Sequence, residues 1–242
     1  MFDKNEYICS APFNYTEVFD DRQYLCCPSW LPVDVWDGKS IKSSFFSNKA
    51  QEVRESIIDG SYKYCDEKQC PYLSGLKNNT YSGKFVKKTD KSIEFFRNKN
   101  EIETVNFCFD RSCNLQCPSC RSELINYYGK DREQVEDKLN QVKEEISPTV
   151  KRSYLTGTAD PFYSKSFRQF LETLDPNKFT KLESIHLHTN GSLWNEAMWK
   201  RVKAIHPYVN SCEVSIDAAT KETYETKTRI GGKWDVLVDN LE

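Results

Sequence analysis

The 242-residue chain has no long apolar segment, no export signal at its start and no excess of charge of either sign. A membrane-spanning helix needs about 18 or more consecutive apolar residues, and no stretch approaches that length. The opening MFDKNEYICS lacks the basic and apolar regions of a signal peptide, so export is not expected. The 34 basic and 36 acidic side chains are interspersed and leave no basic patch for nucleic acid. We therefore expect a cytoplasmic globular protein that binds neither membranes nor nucleic acid.

The chain also lacks internal repeats and low-complexity tracts, whereas it is rich in cysteine, with ten residues. A reducing compartment argues against a disulfide framework and favours metal-binding or catalytic roles for these thiols. Most of the cysteines fall into two groups, one in the first third of the chain and one near its middle. These are Cys9, Cys26, Cys27, Cys65 and Cys70, and then Cys108, Cys113, Cys117 and Cys120, with Cys212 alone.

The sequence pattern changes at about residue 90. Before it we predict a hairpin that turns at residues 20–22, a helix at 47–60, and a linker at 76–92 that is rich in Asn, Ser, Gly and Lys. After it, apolar runs alternate with helical stretches. Strands are predicted at 103–109, 151–156, 182–188 and 211–216, and helices at 131–146, 164–174 and 193–205. This alternation predicts an α/β fold with a parallel sheet built from right-handed crossovers.

Small, polar or metal-binding residues lie at the carboxyl end of each of the four predicted strands. The segments are DRSCNLQCPSC at 110–120, TGTADPF at 156–162, TNG at 189–191 and SID at 215–217. Ligands of parallel α/β sheets bind at the carboxyl ends of the strands, which all meet at one edge. The four segments therefore predict one shared site.

Three cysteines with spacings of four and three residues, Cys113, Cys117 and Cys120, are the strongest feature of that site. A structural zinc site uses four protein ligands. Cys108 is not an obvious fourth, because it alternates with two phenylalanines in a strand and is expected in the core. Iron-sulfur clusters are also held by thiolates. Three thiolates leave one iron without a protein ligand, and that position can bind a substrate or cofactor.

The CxxxCxxC loop and its companion segments resemble the radical S-adenosylmethionine superfamily over roughly residues 104–242. The companions are GTADP at 157–161, HTNG at 188–191 and VSIDAATKETYETKTRIGGKWDVLVDNL at 214–241. The resemblance implies a partial (β/α) barrel and a 4Fe-4S cluster on Cys113, Cys117 and Cys120. S-adenosylmethionine would bind the open iron and yield a 5′-deoxyadenosyl radical. The family often has an aromatic residue where this chain has Ser119. The serine is expected to loosen the packing against the adenine of the cofactor.

The same resemblance implies roles for residues in the companion segments. Asp160 would hold the amino group of the methionine moiety, Ser215 and Asp217 would lie by the ribose hydroxyls, and Arg229 would pair with the carboxylate. The remaining implied cofactor-binding residues are Gly157, Thr158, Thr189 and Asn190. Considered alone, Asp160-Pro161 is equally typical of a helix-capping turn, and Asn190-Gly191 of an ordinary turn.

The first third of the chain resembles the opening of the SPASM and twitch modules, through CSAPFNYTEVFDDRQYLCCPSW at 9–30. That resemblance implies a small α+β module at 1–90, placed before a barrel domain at 91–242. It also implies a second, auxiliary 4Fe-4S cluster. The ligands would be Cys9, Cys27, Cys65 and Cys70, with Cys26 as the alternative to Cys27. A zinc knuckle on the same thiolates is the competing interpretation.

The expected function is that of a radical S-adenosylmethionine oxidoreductase or maturase that acts on a peptide or a small metabolite. Its electrons would come from a flavodoxin or ferredoxin. Two alternatives stay open, a non-catalytic zinc-binding interaction protein and an inactive remnant of the family. Family barrels have six strands, whereas four are predicted here, so we expect either a truncated barrel or one completed by a second chain. The sequence identifies neither a catalytic side chain nor the substrate.

Overall fold

The computed structural model describes residues 3–77, 83–155 and 157–242. The fold is α/β with a mostly parallel sheet of six strands. The chain divides into two compact units, Met1–Val105 and Asn106–Glu242. Within the described ranges, no helix is long and apolar enough to cross a membrane.

The first unit combines short strands with short helices. Its strands are β1 (Tyr7–Cys9), β2 (Tyr15–Val18), β3 (Gln23–Tyr24) and β4 (Phe85–Lys87). Its helices are α1 (Ala11–Asn14), α2 (Ile41–Phe45), α3 (Asn48–Ile58), α4 (Pro71–Lys77) and α5 (Asp90–Arg97), with a 3-10 turn at Lys4–Glu6.

The predicted hairpin and the first predicted helix are both confirmed. Strands β2 and β3 pair antiparallel, with Glu17 opposite Tyr24. The Ser47 side chain caps α3 by accepting a hydrogen bond from the backbone N–H of Ala50. The helix ends before Gly60, which adopts φ +87°, a conformation that glycine reaches without strain.

The predicted linker at 76–92 is wrong for part of its length. Strand β4 pairs antiparallel with β1, with Phe85 opposite Cys9, and the Phe85 side chain is buried. Helix α5 begins at Asp90 and packs Phe96 against Phe13, with 4.8 Å between the ring centroids. These contacts extend the first unit beyond residue 90, although the segment at 76–92 has the composition of a linker. Residues 78–82 of the predicted linker lie outside the described residues.

The second unit is a series of strands and helices in alternation. Its strands are β5 (Thr104–Phe107), which begins just before the division, β6 (Arg152–Leu155), β7 (Ser184–Thr189) and β8 (Val209–Val214). Its helices are α6 (Gly129–Gln141), α7 (Lys165–Glu172), α8 (Glu196–Arg201), α9 (Lys221–Thr223) and α10 (Trp234–Leu241). A 3-10 turn lies at Lys203–Ile205, and π-helical turns follow α6 and α9 at Val142–Ile146 and Tyr224–Thr228.

The four predicted strands of this unit and the helices between them are confirmed. The strands lie in the order β5, β6, β7, β8, and the pairs β6/β7 and β7/β8 are parallel. Along β7, Ile185, Leu187 and Thr189 are buried and alternate with two half-buried histidines, as the period of a strand requires. Cys108, expected in the core, is buried. The carboxyl ends of consecutive parallel strands therefore form one rim.

Candidate metal centres

The cysteine loop after β5 is shaped by short hydrogen bonds within the second unit. One carboxylate oxygen of Asp110 accepts from the backbone N–H of Ser112 at 2.7 Å, and the other accepts from the Ser164 hydroxyl at 2.5 Å. At the other end of the loop, the backbone N–H of Cys120 donates to the carbonyl of Cys117 at 2.9 Å. Cys113 and Cys117 pack with Leu115 in a buried cluster, whereas Cys120 is exposed.

Each thiol of this loop accepts a hydrogen bond from a different side chain. Asn190 Nδ2 donates to Cys113 Sγ at 3.6 Å, Arg229 Nη1 to Cys117 Sγ at 3.3 Å, and Arg121 Nη2 to Cys120 Sγ at 3.4 Å. N–H donors, especially charged ones, stabilise negative charge on the acceptor. Burial raises the pKa of the Cys113 thiol, and the charge of Arg121 opposes that rise. The N–H donors around the loop thus counteract part of the effect of burial on Cys113, whose pKa stays above its ordinary value.

The segment after β7 is tied directly to the cysteine loop. Besides its bond to Cys113, Asn190 Nδ2 donates to Asn114 Oδ1 at 2.9 Å. Asn114 Nδ2 in turn donates to the Ser192 hydroxyl at 2.8 Å. The predicted Asn190-Gly191 turn is present, with Gly191 at φ +77°. The turn therefore directs an amide side chain at a predicted metal ligand.

Asp160 joins the segments that follow β6 and β7. Its Oδ1 accepts from the backbone N–H groups of Phe162 and Tyr163, at 3.0 and 3.1 Å. Its Oδ2 accepts from the Thr189 hydroxyl and the Asn190 N–H, at 2.7 and 2.9 Å. The residue is only 1% exposed, and burial raises the pKa of its carboxyl. Asp160 does form a turn in the structure. Its contact with a ligand amino group stays a prediction, and that contact would require one of these four donors to move.

Gly157 and Thr158 lie against the backbone of the cysteine loop. The Thr158 hydroxyl lies 2.6 Å from the carbonyl oxygen of Asp110 and 3.0 Å from that of Cys108, and it donates to both. Gly157 has φ +85°, and a Cβ there would lie 3.5 Å from Cys108 Sγ. The residue before it, Thr156, which is the last residue of the strand predicted at 151–156, lies outside the described residues.

The other three predicted cofactor-binding residues follow β8. The Ser215 N–H donates to the carbonyl of Thr189 at 2.9 Å, and its hydroxyl is bonded to His188 Nε2 at 2.7 Å. Asp217, at φ +53°, forms an ion pair with Arg229. Arg229 therefore bridges Asp217 and the Cys117 thiol. Its predicted pairing with a ligand carboxylate stays a prediction.

Two adjacent glycines allow the chain after Arg229 to approach the cysteine loop. The Gln116 N–H donates to the carbonyl of Ile230 at 2.9 Å. A Cβ on Gly231 would lie 3.5 Å from the carbonyl oxygen of Asn114, and a Cβ on Gly232 would lie 2.6 Å from Tyr224 Cε1. Only glycine fits the second position without displacing the Tyr224 ring.

Two buried polar atoms close to this approach have no hydrogen-bond partner within the described ranges. They are the hydroxyl of Tyr224, whose side chain is fully buried, and Nε of Arg229. Buried polar groups are rarely left unsatisfied, and an exception is commonly explained by a missing ligand, ion or water. The surroundings of Cys117 thus fit a site that receives an additional group.

The first unit brings four thiols to one cavity. Cys9, Cys26, Cys65 and Cys70 line it together with apolar and aromatic side chains, among them Trp30 and Tyr62. Burial raises the pKa of Cys9 and of Cys65 to about 12, and it raises the pKa of Cys26 as well. Cys9, Cys26 and Cys65 are therefore protonated at neutral pH, and a metal that bound them would have to displace the protons.

Of the adjacent pair, Cys26 lines the cavity and Cys27 is not among its lining residues. The Cys27 carbonyl accepts from the N–H groups of Trp30 and Leu31, at 2.9 and 3.0 Å, and so closes the turn that follows. The structure thus groups the alternative ligand, Cys26, with the other three thiols, while the ligand role itself stays a prediction.

The thiols of neither unit converge on a point. Across the described residues, no three Cys, His, Asp or Glu side chains are arranged to hold a single metal ion. Tetrahedral zinc with Zn–S bonds of about 2.3 Å would bring its sulfur ligands to within about 4 Å of one another. The four thiols of the first unit instead line a small cavity among apolar side chains. Thiolate is also the ligand type that iron-sulfur clusters require.

The sequence analysis missed several residues of the rim, above all Arg121, Asn114 and Tyr224. Arg121 directly follows the third cysteine, and its position next to a predicted ligand was the available signal. No such signal marks Tyr224, because its contacts depend on how the chain folds back. Comparison of the chain with protein-family models, curated proteins and solved structures gave no match.

Proposed function

We propose that this chain is a radical S-adenosylmethionine enzyme, an oxidoreductase or maturase whose reaction site is the rim of the second unit. One observation carries the proposal. The three thiols of a CxxxCxxC loop each accept a side-chain N–H, and the segments after all four strands are hydrogen-bonded around that loop. A purely structural loop does not require a separate donor for each sulfur. We further propose that β5–β8 belong to a (β/α) barrel of this family.

In this proposal Cys113, Cys117 and Cys120 hold a 4Fe-4S cluster that has one iron open for S-adenosylmethionine. When bound, such a cluster supplies one electron that breaks the C5′–S bond of the sulfonium, which leaves methionine and a 5′-deoxyadenosyl radical that takes hydrogen from the substrate. The cofactor would lie against the loop residues that were predicted for it. These are Gly157, Thr158, Asp160, Thr189, Asn190, Ser215, Asp217 and Arg229.

The chain itself would orient the cofactor, stabilise charge and exclude water. Asp160 holds the Thr189 hydroxyl and the backbone N–H of Asn190, so that Asn190 keeps its amide on Cys113. The buried Leu115 packs with Cys113 and Cys117, which are themselves shielded from solvent. The electron would come from a flavodoxin or ferredoxin, and the substrate would be a peptide or a small metabolite.

The first unit would hold an auxiliary 4Fe-4S cluster on Cys9, Cys26, Cys65 and Cys70, as part of a twitch- or SPASM-like module. The support is the cavity that these four thiols line. Because all four irons would then have a protein ligand, this cluster would carry electrons or stabilise the fold, and it would not bind S-adenosylmethionine.

Anaerobic reconstitution tests the assignment of the rim. The full chain, supplied with iron, sulfide, a low-potential reductant and S-adenosylmethionine, should form 5′-deoxyadenosine and methionine in equal amounts. Cys113→Ala should abolish the product, because a cluster ligand is lost. Cys212→Ala is the matched control and should leave the product unchanged, since that thiol belongs to β8 and is not one of the residues predicted to hold the cluster or the cofactor. Product formation by the Cys113→Ala variant equal to that of the unaltered chain would refute the proposal.

Metal analysis tests the first unit separately. Iron at about eight atoms per chain, with matching sulfide, would support two clusters. Iron at about four atoms accompanied by one zinc would refute the auxiliary cluster and support a zinc knuckle. Zinc at both sites, in a colourless protein, would support a non-catalytic binding protein instead.

A further inference from the structure

Arg121 connects three parts of the rim through one guanidinium group. Its Nη2 donates to Cys120 Sγ at 3.4 Å and to the carbonyl of Thr158 at 2.8 Å, and its Nη1 donates to the carbonyl of Arg111 at 2.6 Å. Its backbone N–H donates to the carbonyl of Cys117 at 2.9 Å. The residue thus links the two ends of the cysteine loop to the segment after β6.

The charge of Arg121 is not neutralised by a carboxylate. No Asp or Glu in the part of the chain that the structure describes forms an ion pair with it, whereas Arg229, the other arginine on the loop, is paired with Asp217. Its acceptors are two neutral carbonyls and one sulfur. Cys120 is the exposed thiol of the three, and Arg121, itself half-buried, is the charged group next to it. Its positive charge therefore acts directly on the sulfur of Cys120 and through space on that of Cys113.

We infer that Arg121 is a positioning residue that raises the reduction potential of the iron-sulfur group on this loop, an inference that rests on the proposed function. Reduction adds one electron to the group and increases the negative charge on its sulfur ligands. A cation and an N–H donor at one ligand stabilise the reduced state more than the oxidised state. Arg121 thus makes it easier for a low-potential protein donor to deliver the electron.

Potentiometric titration followed by electron paramagnetic resonance measures this effect without relying on activity. The full chain, Arg121→Gln, Arg121→Lys and Arg111→Gln are each reconstituted anaerobically, and iron content and thermal unfolding confirm that they are intact. The resonance signal that is absent from the Cys113→Ala variant is assigned to the cluster on the cysteine loop. Arg111 provides the matched control, because it is an exposed arginine of the same loop whose side chain makes no hydrogen bond within the described residues.

Arg121→Gln removes the charge and should make the potential more negative. At the midpoint of the unaltered chain, the ratio of reduced to oxidised cluster should fall about tenfold, or about 59 mV for one electron. Arg121→Lys keeps the charge and should lower the ratio about threefold or less, and Arg111→Gln should change it less than twofold.

Three results would overturn the inference while the proposed function still stood. The first is an Arg121→Gln ratio equal to that of Arg111→Gln, and the second is a shift toward a more positive potential. The third applies if Arg121→Gln takes up no cluster, in which case Arg121→Lys is measured in its place. A ratio of reduced to oxidised cluster in Arg121→Lys that falls more than tenfold below that of the unaltered chain would then overturn the inference. A loop that takes up no cluster in the unaltered chain overturns the proposed function and this inference together, whereas an unchanged potential overturns the inference alone.

Discussion

The two groups of cysteines differ in what surrounds their sulfur atoms. In the first unit the four thiols line a cavity with aromatic and apolar side chains, and burial raises the pKa of three of them. Within the described residues no arginine or lysine donates to those sulfurs. In the second unit every thiol of the loop accepts an N–H, two of them from arginines. Apolar walls suit a closed site that is fully ligated by the protein, whereas charged donors suit a site whose charge changes during a reaction.

The largest effect is expected when the two adjacent cysteines of the first unit, Cys26 and Cys27, are substituted one at a time. Cys26→Ser should lower the bound iron of the reconstituted chain from about eight to about four atoms, because it removes a ligand from the thiol cavity. Cys27→Ser should leave the iron unchanged, since that residue contributes its carbonyl to a turn. Iron and sulfide analysis of both variants checks this. Loss of iron in Cys27→Ser alone would show that the ligand set contains Cys27, as predicted from the sequence.

A smaller effect is expected at Asp160, where the second unit uses a carboxylate to join two strand exits. Asp160→Asn places an amide N–H₂ opposite the Thr189 hydroxyl or the Asn190 N–H, which leaves buried donors without an acceptor. Each such donor costs about 1–3 kcal/mol, so the free energy of unfolding should fall by roughly 2–5 kcal/mol. Chemical denaturation measures it, with Asp239→Asn as the exposed control. A variant as stable as the unaltered chain but unable to bind S-adenosylmethionine would show that Asp160 contacts the cofactor directly.

The smallest expected effect concerns the glycine pair that packs on the cysteine loop. Gly232→Ala would place a Cβ 2.6 Å from Tyr224 Cε1 and 2.9 Å from the Arg229 carbonyl oxygen. Overpacking of this kind costs about 1–3 kcal/mol, and thermal unfolding should show the loss. Gly129→Ala is the control within the same unit, because Gly129 has φ +53° and open space around its Cα. Its backbone strain alone should cost about 1–2 kcal/mol. A Gly129→Ala variant less stable than Gly232→Ala would contradict the proposed close packing.

The sequence predicted the second unit better than the first. In periodic segments such as those of β7 and α7, the spacing of apolar residues indicates both the type of element and its buried face. The strand order then follows from the alternation of strands and helices along the chain. Strand β4 has only three residues within a polar stretch, and its pairing with β1 depends on a partner far away in the sequence. Local composition cannot reveal such a partner. The predicted linker therefore failed where a long-range contact decided the structure.

The candidate site was likewise predictable from the sequence only in part. Spacing singled out the three loop cysteines as predicted metal ligands, because the spacing of such a motif can be read along the chain. The choice between Cys26 and Cys27 depends on which side of one turn faces the cavity, and a sequence does not record that orientation. Likewise, the composition of GTADP does not show that Asp160 is enclosed by four donors, since two of them come from the last residue of β7 and the residue after it.

The π-helical turn at Tyr224–Thr228 fixes the direction of the arginine that follows it, because the Arg229 N–H donates to the Tyr224 carbonyl at 2.8 Å and closes that wide turn. A π turn holds one residue more than an α turn. Shortening the segment by a single residue would return it to regular α-helical winding and rotate everything beyond it by about 100°. The guanidinium would then swing away from the sulfur of Cys117. The length of this stretch, as well as its residues, therefore determines whether Arg229 reaches Cys117.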